Sequence, residues 1–171
     1  MAKIKAENKK TNAQIRIYCD IARCVGCKSC EIACAVAHSQ EKNVFLAIRE
    51  EPRPKKRVFV QVTKEGSYPL QCRHCDEPAC VLACMSAAIT RDERTGMVTI
   101  DKDRCVGCGM CIMSCPFGAL IMDKDKKVSL KCDFCIETAE PACVQACPTG
   151  CLFLGTLEEF KERIGRSKEK K

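Results

Sequence analysis

Apolar residues in this chain recur in short runs rather than long stripes. Runs with strand character lie at 15–19, 58–62, 97–100, 119–122, 128–130 and 152–154. Between them the chain returns to cysteine- and alanine-rich segments at 31–38, 80–84, 112–115 and 143–147, which predict short helices. One stripe has helical spacing. Leu157, Phe160 and Ile164 fall three and four residues apart, which predicts an amphipathic helix over 157–164, docked on its own domain or offered to a partner. Residues 40–70 break the pattern and carry Glu-Pro-Arg-Pro-Lys-Lys-Arg at 51–57. They predict a loop and strand inserted over the surface, with basic side chains solvated or facing an acidic partner. No run approaches the roughly 20 apolar residues of a membrane span.

Composition changes the picture. The 171 residues include no Trp, two Tyr and six Phe, too few large side chains for a generous core, but eighteen Cys. At that density cysteines mean disulfides, zinc or iron–sulfur clusters. The N-terminal text MAKIKAENKKTNAQIRIY has neither an apolar signal core nor a twin-arginine pair. The expectation is a cytoplasmic protein, and in a reducing compartment clustered thiols bind metal rather than pair with one another.

Sixteen of the cysteines form four groups. Cys24, Cys27, Cys30 and Cys34 stand in CVGCKSCEIAC, and Cys105, Cys108, Cys111 and Cys115 in CVGCGMCIMSCP. Both follow C-x2-C-x2-C-x3-C. Cys72, Cys75, Cys80 and Cys84 stand in CRHCDEPACVLAC, and Cys132, Cys135, Cys143 and Cys147 in CDFCIETAEPACVQACP. Both open on C-x2-C and close on EPACV-x-AC. The order A, B, A′, B′ is an internal repeat. It divides the chain into a basic extension (1–13), a first half (14–96, interrupted by 40–70), a second half (97–155) and a C-terminal helix with basic tail (156–171). The repeat also sorts the two remaining cysteines. Cys151 takes the place of Ala88 and Ala119 and reads as a small buried residue, while Cys19 matches Ile100 as a strand residue.

Three cysteines at two-residue steps let a tight loop wrap three corners of one cube. In ferredoxins with the run C-x2-C-x2-C-x3-C-P, the fourth cysteine ligates the other cluster. On this reading it begins a short helix and points away from the loop. Gly26, Gly107 and Gly109 permit close approach of backbone to metal. Structural zinc sites prefer two separated pairs of ligands, which groups two and four would satisfy alone, but groups one and three would not. The formal charge of +7 counts thiols as neutral; sixteen thiolates on four clusters of charge +2 bring it to about −1. The basic balance is therefore no nucleic-acid signal. His38 and His74 are candidates for hydrogen bonding near a cluster, or plain structural histidines. No nucleophile–base set, phosphate loop or paired carboxylates appear, so the chain reads as a conductor of electrons rather than an enzyme.

With all four groups in view, the chain resembles the four-cluster ferredoxin-type iron–sulfur subunits of the dimethyl-sulfoxide reductase/formate dehydrogenase beta-subunit family. Within it, CVGCKSCEIACAVAHS and the short length are most similar to the iron–sulfur electron-transfer subunit of carbon monoxide dehydrogenase systems. The resemblance spans about residues 14–155. It implies an α+β fold of tandem bacterial-ferredoxin-like βαββαβ modules, related by a pseudo-two-fold axis, loop-rich and stabilised by four [4Fe–4S] clusters. It implies crossed ligand sets: Cys24, Cys27, Cys30 with Cys147; Cys132, Cys135, Cys143 with Cys34; Cys72, Cys75, Cys80 with Cys115; and Cys105, Cys108, Cys111 with Cys84. The implied function is relay of single electrons from a catalytic partner, with carbon monoxide dehydrogenase favoured, to an acceptor such as a hydrogenase or NAD(P) reductase. The alternatives are a subunit of a hydrogenase, formate dehydrogenase or other molybdenum or tungsten oxidoreductase, a free-standing polyferredoxin, and a structural zinc module. The sequence departs from the ferredoxin pattern at Ala35 and Met85, where proline follows the other two groups.

Overall fold

The computed structural model describes residues 14–136, 138 and 140–168; the extension at 1–13 and the end of the basic tail lie outside them. The chain begins with β1 (Arg16–Cys19) and a 3-10 turn at Ile21–Arg23, then runs α1 (Ser29–Ala37) and α2 (Val44–Ala47). A hairpin follows, β2 (Val58–Thr63) with β3 (Gly66–Gln71). Next come α3 (Ala79–Leu82), the hairpin β4 (Ile89–Arg91) with β5 (Val98–Ile100), and α4 (Met110–Met113). The last part is the hairpin β6 (Leu120–Asp123) with β7 (Val128–Lys131), α5 (Ala142–Gln145), β8 (Leu152–Gly155) and α6 (Leu157–Lys168). Each cysteine-bearing helix is thus followed by an antiparallel strand pair, and the last pair is closed by the first strand. β1 runs antiparallel to β8, with Arg16 opposite Gly155 and Cys19 opposite Leu152.

The six runs read as strands all form strands. β3 and β4 were not legible. Gly66 and Pro69 argue against a strand, yet both strands of a two-stranded sheet are edges, where proline is tolerated. The inserted segment lies over the surface for most of its length but is anchored in the core. Val58 is 2% exposed and packs in one core with Cys30, Cys34, Cys143, Cys151 and Leu152.

The helices pack in a nested order. α1 lies against α5, and α3 against α4. Each half read from the sequence, 14–96 and 97–155, therefore contributes to both packing units. The outer unit is the core around Val58. The inner unit gathers Ile89, Val98, Cys111 and Leu120, with Cys80, Cys84 and Cys115 against them. At the junction His74 and Phe134, which occupy the same place in the repeat, stack with ring centroids 4.0 Å apart. The amphipathic helix docks on its own chain: Phe160 of α6 stacks on Tyr18 of β1 at 5.0 Å and faces Phe153 of β8 at 6.2 Å.

Candidate metal centres

In every group the third cysteine, not the fourth, enters a helix. Cys30, Cys80, Cys111 and Cys143 are each the second residue of α1, α3, α4 and α5. The residue before each helix dictates this start. Lys28 and Gly109 turn the chain through left-handed backbone, at φ 62° and 76°. Pro78 and Pro141 serve groups two and four, their fixed φ suiting a helix entrance. Cys84, Cys115 and Cys147 come two residues after their helices end, whereas Cys34 stays inside α1. Ala35 permits that exception without sufficing for it: Pro116 and Pro148 would break a helix at this place, but Met85 would not, and α3 still ends at Leu82 whereas α1 runs for nine residues. Gly107 meets a hard limit. At φ 67°, a Cβ there would lie 2.3 Å from the Lys127 carbonyl oxygen.

All eighteen cysteines are unpaired thiols, so no disulfide framework holds the fold. The groups meet crosswise. Cys24, Cys27, Cys30 and Cys147 line one small cavity, walled by Val60, Pro69, Pro148 and Leu152. Cys143 lies near Cys132, Cys34 and Cys135, and near Cys30 of the first cavity as well. Cys80 lies near Cys72, Cys115 and Cys111, and Cys72 near Cys75. Cys111 interacts with Cys105 and Cys108, and Cys84 packs against the same core. Such sets fit a soft, thiolate-bound metal group. Burial pushes the Cys30 and Cys80 thiols up to about 11 and Cys132 to about 12, with Cys143 higher still. Crowded, buried thiols of this kind lose their protons on binding metal.

Hydrogen bonds to sulfur come from nearby backbone and side chains. The Arg57 N–H donates to Cys34 Sγ at 3.2 Å, and the His74 N–H to Cys72 Sγ at 3.4 Å. Ser129 Oγ lies 3.2 Å from Cys111 Sγ. Cys147 is the most heavily surrounded. Burial disfavours its thiolate, but the Leu152 N–H, the Thr149 hydroxyl, and the Cys151 thiol and N–H outweigh that and lower its pKa to about 7.

The two histidines differ. His38 bridges the Cys34 carbonyl oxygen, at 2.7 Å from Nδ1, and Asp133, at 3.1 Å from Nε2. Burial opposes its imidazolium, but Asp133 and Cys34 prevail and raise its pKa to about 9. Asp133 also pairs with Arg57. Burial would raise the Asp133 carboxyl, yet the His38 hydrogen bond and the Arg57 charge hold it well below the usual carboxylate range. Although His38, Asp133 and Cys135 offer ligand atoms within 4.8 Å of one another, Arg57 and His38 already occupy the carboxylate. His74 is 2% exposed; its Nδ1 accepts from the Val98 N–H at 3.0 Å, and burial with Lys131 and Arg16 nearby pushes its pKa down to about 2.

Sequence reasoning missed the supporting polar residues. Glu31 is buried in α1, accepts from the Val60 N–H at 2.6 Å and pairs with Lys56. Lys55 meets Asp125 at 3.1 Å. The basic run at 53–57 is thus ion-paired at three positions, of which only Arg57 is buried. Lys131 is 3% exposed, donates to the carbonyl oxygens of Val98 and Cys132, and lies among Cys72, Cys80 and Cys132. The signal was adjacency: Lys131 and Asp133 flank Cys132 directly.

Comparison with known proteins agrees with the thiol geometry. The family model described as "4Fe-4S dicluster domain" matches residues 64–157, and "4Fe-4S binding domain" matches 21–37. The chain is 34% identical to the thiosulfate reductase electron transfer subunit PhsB of Salmonella typhi, over 89% of this chain and 80% of that one. It is 35% identical to the probable anaerobic dimethyl sulfoxide reductase chain YnfG of Escherichia coli strain K12, over 89% and 78%. It is also 31% identical to the iron–sulfur subunit of the nitrate-inducible formate dehydrogenase of the same organism, over 88% of this chain and 57% of that one. PhsB is named for electron transfer and the formate dehydrogenase chain as an iron–sulfur subunit, which with the two 4Fe-4S family models sets aside the zinc reading. The chain belongs to the 4Fe-4S dicluster domain family, among the iron–sulfur electron-transfer subunits of oxidoreductase complexes.

Proposed function

We propose that this protein relays single electrons through four [4Fe–4S] clusters for the catalytic subunit of a molybdenum- or tungsten-type reductase or dehydrogenase, in the cytoplasm. Carbon monoxide dehydrogenase, which the resemblance favours as partner, gives way here to the alternative. The named relatives serve thiosulfate reductase, dimethyl sulfoxide reductase and formate dehydrogenase.

The observation that carries the reading is the cavity ringed by three cysteines of group one and the last cysteine of group four. It supports a crossed ligand scheme. One cluster would be held by Cys24, Cys27, Cys30 and Cys147, and another by Cys132, Cys135, Cys143 and Cys34. The other two would take Cys72, Cys75, Cys80 with Cys115, and Cys105, Cys108, Cys111 with Cys84. When bound, each cluster supplies a one-electron centre. The chain's own residues then fix position and environment. Apolar side chains wall the sulfurs while Cys27 and Cys108 stay exposed, N–H groups donate to sulfur, and the buried Lys131 lies between the outer and inner sets.

Anaerobically purified protein should be brown, with roughly sixteen iron and sixteen sulfide per chain and reducible centres by electron paramagnetic resonance. A colourless protein with zinc instead would overturn the reading. Affinity capture from the native host should bring down a subunit containing molybdenum or tungsten. Capture of carbon monoxide-oxidising activity in its place would reinstate the other partner.

A further inference from the structure

We propose that Cys151 is a thiol hydrogen-bond donor to Cys147, and that it holds the cluster at Cys24, Cys27, Cys30 and Cys147 at a higher reduction potential than an alanine would. The inference rests on the ligand scheme above and deepens it.

The geometry is specific. Cys151 Sγ lies 3.4 Å from Cys147 Sγ. A ligating Cys147 is a thiolate and has no proton to give, so the proton between the two sulfurs belongs to Cys151. Only 4% of Cys151 is exposed, so water does not compete for the bond. The backbone is pinned as well, since the Asp20 N–H donates to the Cys151 carbonyl oxygen at 2.8 Å. Cys19, held by its register opposite Leu152, packs against the same core as Cys151. The Thr149 hydroxyl lies 3.6 Å from Cys147 Sγ. The cavity wall where Cys147 faces Cys24, Cys27 and Cys30 includes Cys151 and Thr149.

The internal repeat supplies the control. Ala88 and Ala119 stand where Cys151 stands, and both are buried, at 1% and 2% exposure. Packing at this position therefore asks only for a methyl group, and the sulfur of Cys151 is surplus to it. What the sulfur adds is a proton donor four residues after a ligand. Reduction adds negative charge to the cluster and its thiolates. A donor on one of those sulfurs stabilises the reduced form more than the oxidised form and raises the potential. The cluster at Cys24 would thus differ from the two whose fourth ligands are Cys84 and Cys115.

The test uses intact, anaerobically loaded protein: wild type, Cys151→Ala and Cys151→Ser. Potentials are read by redox titration followed by electron paramagnetic resonance, and iron and sulfide are counted in parallel. Cys151→Ala copies the repeat and should keep full iron while one centre becomes harder to reduce, by roughly threefold to tenfold in equilibrium constant, the scale of one modest hydrogen bond. Cys151→Ser keeps a donor and should recover most of that loss. Full iron with unchanged potentials in Cys151→Ala would overturn the proposal. So would loss of iron, which would make Cys151 a holding residue. Wild-type protein without iron or sulfide would instead mark failure of the ligand scheme itself.

Discussion

The outer and inner units are built from the same cysteine spacing but are held differently. In the outer unit, α1 runs nine residues, the β2–β3 hairpin packs Val58 against Cys30 and Cys34, and Arg57, Asp133 and His38 form a buried polar bridge between groups one and four. The inner unit has two four-residue helices and hairpins with three- and four-residue strands. Leu82, Met85 and Met113 stand more than four-fifths exposed on it. Its fourth ligands have Ala88 and Ala119 where the outer unit has Cys151. The lesson is that repeated ligand spacing sets which metal group is held. The text between the ligands sets how firmly it is held and with what hydrogen bonding.

Removal of the metal should have the largest effect. Few large apolar side chains support either unit, so chelation under reducing conditions should cost most of the cooperative structure. Hydrogen exchange should show the inner unit losing protection first, since it lacks the β2–β3 support. Uniform loss across both units would erase the distinction. Next in size, Cys34→Ser should remove about four of sixteen iron from the set wrapped by Cys132, Cys135 and Cys143, and Cys115→Ser a similar number from the set at Cys72, Cys75 and Cys80. Mössbauer spectra with the loss confined to the mutated cysteine's own loop would break the crossed scheme.

Asp133→Ala should destabilise the outer unit by about 2 kcal/mol, because it leaves the buried Arg57 guanidinium without its partner. Denaturant midpoints of loaded protein would measure it; a change below about 0.5 kcal/mol would make the bridge incidental. The smallest effect is expected at Ser86, whose hydroxyl lies 3.7 Å from Cys84 Sγ. Ser86→Ala should shift one inner centre to a lower potential by less than Cys151→Ala shifts the outer one, because the Ser86 contact is longer than the 3.4 Å contact of Cys151 with Cys147 and Ser86 is not walled from water as Cys151 is. A larger shift than that of Cys151→Ala would reverse the ranking.

Much of the fold followed from local spacing. The six strand runs needed only alternating apolar residues, and the stripe of Leu157, Phe160 and Ile164 announced α6. The four cysteine groups were legible because consecutive ligands lie within a few residues of one another. The helix starts were misplaced, since Lys28, Gly109, Pro78 and Pro141 set them through backbone conformation rather than apolar period.

By itself the sequence determined the four cysteine groups and the class of metal group, because thiol type and short spacing are chemical facts of the chain. Only the tertiary structure decided which groups meet, why the inserted hairpin matters and what surrounds each sulfur. Those contacts join residues far apart in the chain, such as Arg57 with Asp133 and Cys19 with Cys151. They depend on how α1 packs on α5 and how β1 pairs with β8, which no local pattern encodes.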